Sequence, residues 1–101
     1  MNREELFSHL NTPPLFTSEN RRVLVAFLKD QASIITAHPE LTTRIAYGIA
    51  GILATDFARN LPEDDPVDEI LTIAGELEVA PEDTKSLRSE LIEKINMLES
   101  E

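Results

Sequence analysis

The sequence holds no cysteine and no tryptophan, and only three glycines in 101 residues. Without cysteine there can be no disulfide framework, thiolate zinc site, iron–sulfur cluster or cysteine nucleophile. Aromatics are also scarce, four Phe and one Tyr, so a core must be assembled from Leu, Ile, Val and Ala. That composition suits helices packed on helices better than a large sheet. The shortage of glycine removes the turn signals that a β-sandwich or barrel of this length would place roughly every ten residues.

Long hydrophobic runs are missing as well. The longest uninterrupted apolar stretch, residues 45–54, contains Gly48 and Gly51 and is about half of the ~20 residues that span a bilayer. It reads as a buried helix, and no membrane association is expected. Met1-Asn2-Arg3-Glu4-Glu5 lacks the basic and apolar regions of a secretory signal, so export by that route is not expected and the cytoplasm is the default location.

Basic residues are few: nine Lys and Arg face nineteen Asp and Glu, for a formal net charge of −10. The imbalance is concentrated at one end. Residues 1–63 hold seven acids against six bases, whereas residues 64–101 hold twelve against three. Such a field repels phosphate backbones and anionic lipid, and attracts basic partners or divalent cations. Solubility alone explains the same acidity.

What is present is a chain punctuated by proline and patterned for helices. Pro13-Pro14, Pro39, Pro62, Pro66 and Pro81 separate five segments, because proline lacks an amide donor and closes or opens helices. The expected fold is all-α, a single domain over residues 1–101 built as a compact bundle of about five helices. The first segment, residues 2–10, sets Leu6, Phe7 and Leu10 on one side. The second starts at Thr17 or Ser18 as N-cap and runs to residue 37, with Val23, Leu24, Phe27, Leu28, Ile34 and Ile35 at helical spacing. His38-Pro39 turns the chain into a third helix over residues 40–60. The second and third should form a long antiparallel hairpin of roughly 30 Å at 1.5 Å rise per residue. The fourth, residues 66–77, has Asp65 as N-cap and Pro66 as first helical residue; it turns Val67, Ile70, Leu71, Ile73, Ala74 and Leu77 inward. The fifth, residues 81–98, carries Leu87, Leu91, Ile95 and Leu98 as a stripe.

The third segment is apolar nearly all round, and Ala46, Ala50, Ala54 and Ala58 recur every four residues with Gly51 beside them. Small residues in a row allow another helix to approach closely, so these five are a candidate helix-contact or dimer face. Ordinary close packing within the monomer is the simpler account of them.

Residues 73–87, Ile73-Ala74-Gly75-Glu76-Leu77-Glu78-Val79-Ala80-Pro81-Glu82-Asp83-Thr84-Lys85-Ser86-Leu87, resemble the helix-turn-helix of bacterial transcription regulators. The resemblance gives Ala74, Leu77, Val79 and Leu87 packing roles and implies that the fourth and fifth helices form a helix-turn-helix-like pair. The turn position usually held by Gly is Glu78, and the face that would enter a groove carries Glu82, Asp83 and Glu90 against Lys85 and Arg88. It therefore lacks the positive surplus that phosphate binding needs.

No catalytic set can be assembled. Glu63, Asp64, Asp65, Asp68 and Glu69 have the oxygen chemistry for Ca²⁺ or Mg²⁺, but the glycine and distal glutamate of an EF-hand are missing. A solvated helix start with capping acids explains them. His9 and His38 have no ligand-spaced neighbours. There is no nucleophile elbow, phosphate loop or dinucleotide fingerprint. The expectation is thus a non-catalytic protein–protein interaction or regulatory module with no cofactor and no metal. Its partner would be another protein of unknown identity, a basic one being suited to the charge, or a second copy of itself as a homodimer, met through the small-residue face or through an acidic surface of Asp64, Asp65, Asp68, Glu69, Glu82 and Asp83. The alternative is a transcription-linked regulator that uses residues 66–98 to contact DNA or a basic nucleic-acid-binding protein.

Overall fold

A computed structural model describes residues 3–79 and 84–98. The chain folds as an all-α globule with six α-helices among the described residues: α1 (Arg3–Leu10), α2 (Ser18–Ala37), α3 (Thr42–Ala50), α4 (Asp56–Arg59), α5 (Pro66–Val79) and α6 (Thr84–Asn96). Its Cα radius of gyration is 12.8 Å, which is the size expected of a packed chain of about 100 residues.

The helix starts follow from local chemistry. Thr17 is the N-cap of α2: its backbone is extended and its hydroxyl accepts from the Asn20 amide at 3.0 Å. That satisfies one of the amides a helix start leaves unpaired. Asp65 does the same for α5, accepting from the Val67 amide at 2.9 Å, with Pro66 at the first helical position, where its missing N–H is no loss.

The third segment differs from the expected single rod. A 3-10 turn at Pro39–Leu41 precedes α3, a second at Gly51–Ala54 follows it, and α4 comes after a break at Thr55. The cause is local competition. Glycine weakens a helix interior by roughly 1 kcal/mol relative to alanine, and Thr55-Asp56 is a ready start signal. Thr55 leaves the helix into extended backbone, its hydroxyl accepts from the Ala58 amide at 3.3 Å, and it donates to the Ile52 carbonyl at 2.7 Å. Asn11, just beyond α1, secures the same start by accepting from the Asp56 amide at 2.9 Å.

One connected cluster of buried side chains draws on every helix. The fully covered residues include Leu10 of α1, Leu24, Leu28 and Ile35 of α2, Ile49 of α3, Ile70, Leu71 and Leu77 of α5, and Leu91 and Ile95 of α6. Phe57 of α4 is 1% exposed. The principal neighbour of α3 is α5, and α6 packs on both α5 and α2. All six inward positions expected on the fourth segment are buried in α5. The loop between α1 and α2 is anchored by buried Asn20, whose amide nitrogen donates to the carbonyls of Leu15 at 2.9 Å, His9 at 3.3 Å and Pro14 at 3.4 Å. No buried side-chain polar atom among the described residues lacks a partner.

Candidate interaction surface

The acidic end of the molecule divides by what each carboxylate already does. Asp65 is structural. Besides capping α5, it holds the Arg21 guanidinium by two contacts of 3.0 and 3.1 Å, a forked pair that joins the start of α2 to the start of α5. Burial by itself would raise the Asp65 pKa. The hydrogen bond from Arg21, the Val67 amide and the guanidinium charge together outweigh it, so the group sits below the ordinary carboxylate value. Glu69 pairs with Lys94 of α6 at 3.2 Å across two half-exposed side chains. Asp64 is exposed and Asp68 is half-buried, and neither has a cation partner among the described residues. Glu82 and Asp83 lie outside the described residues, as does Pro81, the expected opening of the fifth segment.

The five small residues do not share one exposed helix face. Ala46 of α3 is completely buried. Ala50 and Ala58 are half-buried and packed against the core. Gly51 opens a 3-10 turn, Ala54 closes it and is exposed, and Ala58 belongs to α4. Of the helix-turn-helix packing positions, Ala74 and Leu77 are buried and Leu87 is half-buried, but Val79 is 78% exposed. The α5–α6 pair does pack together; the link between the two helices falls outside the described residues.

Exposed apolar side chains were not legible in the sequence as a group. Tyr47, Leu53, Val79 and Met97 stand out of the surface, as does Phe16, which stacks obliquely on Phe57 with ring centroids 5.0 Å apart. Phe16 and Phe57 line a surface cleft of about 280 Å³ with Thr17, Ser18 and Arg21. A second groove of about 320 Å³ runs between α1 and α2 along Leu6, Val23, Ala26, Phe27 and Asp30. On α5, half-buried Gly75 lies close to Leu53: a methyl group placed there would make an ordinary contact with the Leu53 side chain, at 3.8 Å. Val79 follows one turn further along the same helix face. Glu76 and Glu78 beside it are exposed, again without a cation partner among the described residues.

Among the described residues no three His, Asp or Glu side chains gather as metal ligands, and no helix is long and apolar enough to cross a membrane. The chain matches no family model, no curated protein and no solved structure.

Proposed function

We propose that this chain is a small, non-catalytic helical module of the cytoplasm that binds a basic protein partner through its acidic C-terminal half. The observation that carries the reading is the division of labour among the carboxylates around α5. Asp65 and Glu69 are used internally, while Asp64, Asp68, Glu76 and Glu78 have no cation among the described residues. Val79, at the close of α5 beside Glu76 and Glu78, and Leu53, close to Gly75, are exposed and add apolar contact area. Charge of one sign steers a partner of the other, and apolar contacts then hold it.

A foreign partner is favoured over a second copy for two reasons. A surface on which Asp64, Asp68, Glu76 and Glu78 all carry negative charge repels a second copy of itself, and the small-residue row is spread over three elements, with Ala46 inside the core. The test is retention from a native lysate on the immobilised chain. Basic proteins should be retained over a blank support and released by salt, because screening weakens contacts between exposed charges. Retention of nothing beyond the blank would remove the reading.

A further inference from the structure

Resting on the binding role just proposed, we infer that the cleft where the α1–α2 loop, the start of α2 and α4 meet is an anchor pocket of that interface, and that its occupant is a tyrosine side chain of the partner flanked by lysine or arginine. The cleft has a volume of about 280 Å³ and is lined by Phe16, Thr17, Ser18, Arg21 and Phe57. Phe57 is buried, whereas Phe16 remains 54% exposed although its ring already stacks on Phe57 at 5.0 Å. A phenyl ring fixed by one neighbour and otherwise open to water is a ready surface for a further ring to cover.

Arg21 shapes the polar wall. Its guanidinium is tied to Asp65 by contacts of 3.0 and 3.1 Å, a forked pair that lies in the plane of the group and leaves the faces of that plane for stacking on a ring. The same pair offsets its charge, so the cleft does not select an anion. Thr17 accepts from the Asn20 amide at 3.0 Å, which leaves its hydroxyl proton to be donated, and Ser18 is exposed; a ring with a hydroxyl tip that both donates and accepts suits the two. The volume falls below the ~300–1,000 Å³ of clefts that enclose a drug-sized ligand, so the cleft takes one ring and not a nucleotide or a cofactor. Charge then selects what surrounds the ring. Asp65 is preceded by exposed Asp64, and one turn on, the Asp68 amide donates to the Asp65 carbonyl at 3.0 Å. Neither Asp64 nor Asp68 has a cation partner among the described residues. Bases beside the tyrosine complement them, so an aromatic anchor adjoins the acidic surface that steers the partner.

The probe is a fluorescein-labelled peptide in which one tyrosine sits between lysines, followed by anisotropy at low salt beside a twin with alanine in place of the tyrosine. The tyrosine peptide should bind about tenfold tighter than its twin. Phe16→Ala should erase that difference by weakening only the tyrosine peptide, while Tyr47→Ala, which removes an exposed ring from α3, should change neither. Both rings are more than half exposed, and melting curves confirm folding. Phe16→Leu keeps apolar bulk but loses the flat ring, and should lower the preference for tyrosine even if Phe16→Ala fails to fold. Equal affinity for the two peptides, or no binding of either, overturns the inference. So does an equal loss of both peptides in Phe16→Ala, which describes diffuse charge attraction, or a loss in Tyr47→Ala as large as in Phe16→Ala. Displacement of the peptide by an equal concentration of N-acetyltyrosine amide assigns the cleft to a free small molecule and overturns it too. If Phe16→Ala still retains basic lysate proteins at the original level, the cleft is refuted while the broader binding role stands.

Discussion

Asp65 joins the two ends of the helical scaffold that carries the proposed surface, and its replacement should be costly in a calculable way. In Asp65→Ala, α5 loses the cap on the Val67 amide, typically about 1 kcal/mol and up to ~2. It also loses the forked contact to Arg21. Arg21 is 43% exposed and the Asp65 side chain 17%, so solvent screening limits that contact to about 0.5–1 kcal/mol. The sum is roughly 1.5–3 kcal/mol. For a chain of this size each kcal/mol moves the melting temperature by about 5 °C, which places the variant roughly 7–15 °C below the unaltered protein at neutral pH. Asp65→Asn keeps a capping oxygen and should fall by about half as much or less. The dependence on acid follows from the direction of the pKa. Because the folded-state value lies below the ordinary 3.8, the carboxylate's contribution is complete above that ordinary value and disappears as pH falls through the lower folded-state value. Melting followed by circular dichroism at neutral and progressively acidic pH should therefore show the gap between the unaltered chain and Asp65→Asn closing in acid. The reasoning is refuted if Asp65→Ala melts within about 2 °C of the unaltered chain at neutral pH, or if the Asn gap persists unchanged at low pH.

Asn20→Ala should cost about 1–3 kcal/mol, because the carbonyls of Leu15, His9 and Pro14 lose their common donor at a largely buried site; a lowered urea midpoint with unchanged slope is the expected readout. Leu71→Ala, at a fully covered position of α5, should cost about 2–5 kcal/mol, and a loss below about 1 kcal/mol would contradict its placement in the core. Gly48→Ala should raise stability by about 0.5–1 kcal/mol, since Gly48 lies within α3 and a methyl group there meets nothing within 4 Å; a lowered melting temperature would show that the space is filled.

The α-class, the helix starts at Thr17 and Asp65 and the buried stripes of α2, α5 and α6 were legible because they rest on local rules. A hydroxyl or carboxylate caps the amides that follow it, and apolar residues at helical spacing share a face. The third segment was harder to read. Its middle is apolar on every side, so periodicity could not say which face is buried, and the start signal at Thr55-Asp56 was masked by a continuous helical pattern around it. Once the chain breaks at Thr55, the four-residue spacing of Ala46, Ala50, Ala54 and Ala58 no longer corresponds to one side of one helix. The candidate surface was legible only in its charge. Asp64, Asp68 and their neighbours could be named, but which of them is already paired depends on Arg21 and Lys94, 44 and 25 residues away from their partners. The outward turn of Val79 depends on α5 packing against α3 and α6, which no local pattern records.

The most direct test of the claim that this surface serves a foreign partner is light scattering behind size exclusion over a concentration and salt series. The account predicts a monomer of 11.3 kDa at every concentration, at high salt as at low. A dimer that persists when salt screens the carboxylates would contradict it, and would assign an apolar face of the molecule to self-association instead.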